Sequence, residues 1–120
     1  MTKFVFIPTH SELLRIPSTI LMFAVAEGNY SKIFLKYGEN RLVSYQLGQL
    51  DALIKDQLGE DESPFIRVGR GLIANMDYIY VINPFEQQLI LSDWCGKFYN
   101  FNVSKNALSA IKLLLETIER

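Results

Sequence analysis

Short apolar or alternating runs, separated by turn residues, make up most of the chain and predict β-strands. The clearest alternation lies around Ile33 and Leu35, which are expected to point inward while Lys32, Phe34 and Lys36 point outward. Glycine and asparagine pairs between the runs are typical of turns. The predicted strands, some of which could be turns, are Lys3–Ile7, Glu12–Ile16, Leu21–Ala26, the Lys32–Lys36 run, Arg41–Tyr45, Phe65–Val68, Leu72–Asn75, Tyr78–Ile82, Leu89–Leu91 and Lys97–Val103.

Two segments follow the helical period of about 3.6 residues instead. The first is closed by Gly59, and the second is capped by Ser104. The apolar stripe of the first helix is Leu47, Leu50, Leu53, Ile54 and Leu58, and that of the second is Leu108, Ile111, Leu114, Leu115 and Ile118. Many short strands with one helix mid-chain and one at the C-terminus predict an α+β, mainly β fold.

Composition fits one globular domain over residues 1–120. Of the 120 residues, 49% are hydrophobic and 21% are charged. The longest apolar stretch, Ile20–Ala26, is far shorter than the ~20 residues that span a bilayer, and the start of the chain does not read as a secretory signal. A cytoplasmic protein without membrane segments is therefore expected.

The residues that catalysis or metal binding would need are sparse. His10 is the single histidine and lies in a predicted turn, and Cys95 is the single cysteine. Cys95 adjoins Trp94 and is expected to be a small buried hydrophobic residue. No spacing of His, Cys, Asp or Glu fits a metal site. We therefore expect neither an enzyme nor a metal or other cofactor.

The charges are segregated along the chain, although the net charge is only −1. Acidic residues concentrate in Gln46–Ser63. Three other stretches contain basic residues and no acid, namely Gly28–Tyr37, Phe65–Met76 and Trp94–Asn106. If these stretches converge, they form a positive face on a slightly negative molecule. The alternative is that the segregation arises by chance in a short chain.

Three segments match one family pattern in order and spacing. Ala26–Ile33 resembles the Ala-Glu-Gly-Asn-Tyr turn of LytTR domains, and Phe65–Asn75 resembles their Phe-x-Arg-Val-His-Arg-Ser-x-x-Val-Asn segment. Tyr78-Ile79 follows where the family has an aromatic-Ile pair. Val103–Lys105 resembles the Val-Ser-Arg that precedes the final helix. The resemblance covers the chain from Ile20 to its C-terminus.

The resemblance implies a bacterial transcription regulator that binds promoter DNA. LytTR domains are output modules with an elongated, multi-stranded β fold, whose loops enter successive major grooves. Arg70 is expected to bind guanine and Asn29 an adenine edge. The expected partner is double-stranded DNA with repeated half-sites, bound by paired copies. Carried over by position, the expected DNA contacts are Asn29, Ser31, Lys32, Arg67, Arg70, Lys105 and Asn106.

Some of these positions have a structural alternative. Arg67 could be only a charge on a strand surface, and Asn29 could simply hold a left-handed turn. Tyr30 is expected to pack rather than to stack on a base. The chain also departs from the family at Gly69 and Gly71, where His and Ser are usual, and at Lys105, which cannot bind bidentately as arginine does.

The departures leave a second function open. A receiver domain, common upstream in the family, is not expected here, so the regulator would act alone or under a protein partner or ligand. The alternative is a LytTR-fold interaction or dimerisation module that has lost DNA binding, which the two glycines and the net charge of −1 favour. Loss of Arg70 and Lys105 would abolish binding only under the first hypothesis.

Overall fold

Ten β-strands and two α-helices form within residues 3–118, which this computed structural model describes. The prediction of a mainly β fold with two helices is confirmed. In chain order the elements are β1 (Phe4–Pro8), β2 (Leu13–Pro17), β3 (Leu21–Glu27), β4 (Tyr30–Leu35), β5 (Asn40–Val43), α1 (Leu47–Leu58), β6 (Phe65–Val68), β7 (Leu72–Asn75), β8 (Ile79–Asn83), β9 (Gln88–Ser92), β10 (Phe98–Asn102) and α2 (Lys105–Ile118). The chain divides into two compact units, the first ending at Asp77 and the second beginning at Tyr78.

The first unit combines a β1–β2 hairpin, a five-stranded antiparallel sheet and α1. The sheet order is β5-β4-β3-β7-β6. Ile33 is fully buried, as the alternation in its strand predicts, and packs in one core with the inward residues of the hairpin and of α1. The main members of this core are Val5, Ile7, Leu14, Ile16, Ile33, Leu50, Ile54 and Ile73.

Helix α1 runs between the residues that the apolar period indicates. Leu47, Leu50, Ile54 and Leu58 are buried, which gives a continuous apolar side of the kind that a half-buried helix needs. Gly59 follows at φ 88°, a conformation that glycine adopts without steric cost. The predicted helix and its end are both confirmed.

Two turns lie at one end of the five-stranded sheet. β3 pairs with β4 up to Glu27↔Tyr30, so the β3–β4 turn closes there. On its other side β3 pairs with β7, and the Ala26 N–H donates to the Gly71 carbonyl at 3.0 Å. The β6–β7 turn therefore lies beside the β3–β4 turn. We call this end of the sheet the turn end.

The second unit contains an antiparallel sheet in the order β10-β9-β8 and the helix α2. Leu89 and Leu91 of β9 are fully buried, as are Leu108 and, nearly so, Ile111 of α2. The predicted stripe is wrong beyond Ile111 at two positions, because Leu114 is 41% exposed and Ile118 is 57% exposed. No helix within residues 3–118 has the length and apolar character that a membrane span requires.

The expected burial of Cys95 is wrong. Cys95 is exposed and lies in the β9–β10 turn, where Trp94 has φ 61°. The Asp93 carboxylate organises this turn by accepting hydrogen bonds from the backbone N–H of Cys95 at 2.7 Å and of Lys97 at 3.0 Å. Because this turn is built around a carboxylate and not around apolar packing, it leaves the thiol outside the core.

Candidate nucleic-acid interface

Asn29 is exposed in the β3–β4 turn. The left-handed position of this turn is filled by Gly28, at φ 64°, and Asn29 itself does not have a positive φ. The alternative that Asn29 holds a left-handed turn is therefore wrong. Tyr30, expected to pack, is 46% exposed next to it.

Ser31 lies inside the first unit. The residue is fully buried, and its hydroxyl donates to the Tyr45 carbonyl at 2.7 Å. This hydrogen bond fixes the chain that leads from β5 to α1. The hydroxyl is thus occupied and shielded from solvent, which disfavours Ser31 as a DNA contact.

Lys32 points away from Ser31, as neighbours on a strand do. It is half-buried, and its Nζ lies 5.6 Å from the centre of the Phe34 ring on the same side of β4. A half-buried lysine typically packs its stem against apolar neighbours and keeps its ammonium toward solvent. Lys32 pairs across the sheet with Val25 and Leu42.

The β6–β7 turn presents Arg70. Gly69 has φ 62°, and Arg70 is exposed at the tip. The half-buried Arg67 supports the turn, since its Nη2 donates to the Arg70 carbonyl at 3.0 Å. Its other terminal nitrogen lies against Gly48, where an added Cβ would be 3.6 Å away. Arg67 is therefore more than a strand-surface charge, because it holds the backbone of the turn and lies beside the start of α1.

Asn75, the last residue of the second matching segment, has a structural role. It is fully buried. Its amide nitrogen lies 3.0 Å from the Leu21 carbonyl and 3.3 Å from the Ser18 carbonyl, and its oxygen accepts from the Asp77 N–H. The amide thus fastens the end of β7 to the chain that enters β3.

In the second unit, Lys105 and Asn106 are exposed at the start of α2. Ser104 caps the helix, because its hydroxyl accepts from the Ala107 N–H at 3.3 Å. The predicted cap is confirmed. The first turn of α2 contains no acidic residue, so the partial positive charge of the helix N-terminus is added to that of Lys105.

The cationic candidates are free of carboxylates within residues 3–118. The ion pairs there join Lys3 to Glu62, Arg41 to Glu12, Lys55 to Asp51 and Lys112 to Glu116. Lys32, Arg67, Arg70 and Lys105 take part in none of them. In the same part of the chain, no group of His, Cys, Asp and Glu could hold a metal ion.

Comparison with known proteins gives the family. Residues 11–116 match the model of the LytTr DNA-binding domain. The chain belongs to the LytTR family. The fold is also similar to that of a LytTr DNA-binding domain from Bacillus cereus, with a TM-score of 0.64 and 24% identity over 93% of this chain and 95% of that one. This likeness shows a shared fold. No curated protein sequence matches the chain.

The LytTR domain has one further polar residue at its turn end that the sequence did not single out. Gln46 precedes α1 and is exposed, and its amide nitrogen lies 3.5 Å from the Asn29 oxygen. The proximity follows from the pairing of β4 with β5, which brings the start of α1 beside the β3–β4 turn. The sequence could have indicated Gln46, because it directly precedes the apolar helical pattern that begins at Leu47.

Proposed function

We propose that this LytTR domain binds promoter DNA in a sequence-specific manner and regulates transcription in the bacterial cytoplasm, without catalytic activity. The observation that carries the proposal is the turn end of the first unit. Two neighbouring turns present Asn29 and Arg70 there, both exposed and neither paired with an acid in residues 3–118. A major groove about 12 Å wide admits a two-stranded β-ribbon, and each of these turns joins two paired strands.

In this proposal Arg70 and Asn29 read base edges. The Arg70 guanidinium can donate two hydrogen bonds to guanine O6 and N7, and the Asn29 amide can pair with the N6 and N7 edge of adenine. Arg67 fixes the Arg70 backbone through its 3.0 Å hydrogen bond and acts as a positioning residue. Pre-organisation of this kind reduces the ordering cost of binding.

Lys32, Lys105 and Asn106 contact the phosphate backbone in the proposal. The start of α2 adds the partial positive charge of the helix N-terminus, which suits phosphate oxygens. Few cations take part, so counterion release is modest and a single copy binds weakly. Repeated half-sites bound by paired copies raise the overall affinity through effective concentration.

Selection from a random pool of DNA duplexes at low salt tests the proposal. We expect an enriched half-site motif, and its loss with Arg70→Ala and with Lys105→Ala. Lys3→Ala is the matched control, because it removes one positive charge from a residue already paired with Glu62. Absence of any enriched sequence, or unchanged binding by both variants, would overturn the proposal and favour an interaction module that does not bind DNA.

A further inference from the structure

The outer edge of strand β1 is closed by a side chain of α1. The Gln57 amide oxygen accepts from the Phe6 N–H at 2.8 Å, and its amide nitrogen donates to the Phe6 carbonyl at 2.7 Å. The amide thereby makes the pair of hydrogen bonds that a neighbouring strand would make. The β1–β2 hairpin is consequently protected on one edge.

The opposite edge, on β2, is open. Backbone hydrogen bonds join Lys3 to Ser18 and Thr9 to Glu12 at the two ends of the hairpin. With the register Phe6↔Arg15, the alternation of antiparallel pairs places the N–H and C=O of Leu13 and Arg15 on the side away from β1. No hydrogen bond within residues 3–118 occupies these four groups.

A groove of about 320 Å³ runs along this edge. Residues 12–17 form one wall, and Ile20, Leu35, Glu39 and Arg41 form the other. The groove therefore offers strand hydrogen bonds on one side and apolar side chains on the other. With both walls supplied by this unit, the space suits a single extended segment better than the edge of a second folded copy.

The charges along the groove indicate the side chains of that segment. Arg41 is already paired with Glu12, and because these residues belong to opposite walls, their ion pair closes the groove at the Glu12 end. Arg15 has no acidic partner in residues 3–118, and its guanidinium lies 3.8 Å from the centre of the Phe4 ring. That ring belongs to β1, across β2 from the groove, so an acidic side chain on the added segment would form an ion pair by drawing the Arg15 side chain toward the open edge. Glu39 on the opposite wall disfavours a uniformly acidic segment.

We propose that the open edge of β2 is a docking site for an extended segment of a partner protein, added as a strand, with apolar residues toward Ile20 and Leu35 and one acidic residue beside Arg15. Main-chain hydrogen bonds supply affinity in this mode, and alternate side chains supply specificity. The site involves none of the residues proposed to contact DNA.

The probe is a fluorescein-labelled heptapeptide, acetyl-Val-Thr-Val-Glu-Val-Thr-Val-amide, measured by fluorescence anisotropy. We expect saturable binding, with chemical shift changes and slower exchange at the Leu13 and Arg15 amides in NMR spectra. Two N-methylated versions block alternate backbone N–H groups. The version that blocks the groups facing β2 should bind about tenfold more weakly for each lost hydrogen bond, and the other should bind as the parent does.

Charge variants test the side-chain preference. Arg15→Glu should weaken binding of the probe peptide by about fivefold or more. It should strengthen binding of a second peptide in which lysine replaces the glutamate. Arg15→Gln removes the charge without reversing it, so its affinity for the probe peptide should lie between those of the wild type and Arg15→Glu. This milder variant keeps the test informative if Arg15→Glu fails to fold. Lys112→Glu is the matched control, since it reverses a positive charge on α2. DNA binding by Arg15→Glu should equal that of the wild type.

Three results would overturn the docking site. The first is that the NMR chemical shifts and exchange rates of the Leu13 and Arg15 amides do not change at saturating peptide. The second is equal binding of both N-methylated versions. The third is self-association through β2 in sedimentation experiments, which would make a second copy the occupant. Each leaves the DNA proposal intact, because that proposal is measured on duplex DNA with other variants.

Discussion

The Arg67 guanidinium donates a hydrogen bond to the Arg70 carbonyl at 3.0 Å. The first side chain is half-buried and the second is exposed, so one arginine of the turn is structural and the other is presented to solvent. The Nε of Arg67 is buried and has no hydrogen-bond partner among the described residues. A Cβ added at the neighbouring Gly48 would lie 3.6 Å from the Arg67 Nη1, an ordinary van der Waals contact. Two arginines three residues apart thus have separate roles.

The two arginines should differ when each is replaced by alanine. Arg67→Ala should lower the free energy of unfolding by about 1.5–3 kcal/mol, because it removes a charge-assisted hydrogen bond from the turn. Arg70→Ala should leave stability within about 0.5 kcal/mol and weaken specific DNA binding by about 1–3 kcal/mol. Urea unfolding and DNA titration check both. If Arg67→Ala weakened DNA binding without loss of stability, Arg67 would be a direct contact.

Ser31→Ala should act on the fold alone. Removing the hydroxyl deprives the Tyr45 carbonyl of its 2.7 Å hydrogen bond, which should cost about 1 kcal/mol of stability. The DNA affinity of the folded protein should not change. Ser44→Ala is the matched control, because Ser44 is exposed on the same connection and should be neutral. A loss of DNA affinity at unchanged stability would return Ser31 to the set of contacts.

The sequence predicts regular elements well, because the apolar periods of α1 and β4 each report one buried side. It fails where a side chain has a role that depends on its neighbours in space. Ser31 could have been recognised as inward, since it lies two residues before Ile33 on the same strand. The roles of Arg67 and Gln46 could not be predicted from the sequence. The β6–β7 turn brings the Arg70 carbonyl to Arg67, and the β4–β5 pairing brings Asn29 to Gln46.

Turn residues are the least predictable for the same reason. The sequence left open whether Asn29 holds the turn or is free to bind, and only the backbone angles assign the left-handed position to Gly28. The Asp93 hydrogen bonds that leave Cys95 exposed likewise have no periodic signature. Loops have no periodic pattern from which an orientation could be predicted, although the two residues proposed to read base edges, Asn29 and Arg70, both lie in them.

Lys105 should contribute one phosphate contact. With Lys105→Ala, the slope of the logarithm of the binding constant against the logarithm of salt concentration should become less steep by about 0.9. Lys105→Arg should keep the slope and raise affinity, because a guanidinium binds phosphate oxygens bidentately. Titrations at four salt concentrations measure both, with Lys3→Ala as the control for net charge. An unchanged slope in Lys105→Ala would exclude this contact.

Gly71→Ser should strengthen DNA binding. The family pattern has serine here, and the structure has room for it, because Gly71 lacks a positive φ and an added Cβ would meet no atom within 4 Å. The Gly71 carbonyl accepts a hydrogen bond from the Ala26 N–H. The backbone that would carry the new hydroxyl is therefore already held in position beside Arg70. One added hydrogen bond corresponds to about 0.5–1.5 kcal/mol of affinity.

Gly69→Ala is the contrasting variant for this experiment. Its φ of 62° makes a side chain cost about 1–2 kcal/mol of stability, so it should destabilise the turn where Gly71→Ser does not. Thermal unfolding and DNA titration of both variants separate conformational strain from chemistry. If Gly71→Ser weakened DNA binding while the domain kept its stability, the β6–β7 turn would approach DNA too closely for any side chain at this position, and glycine would be the adapted residue.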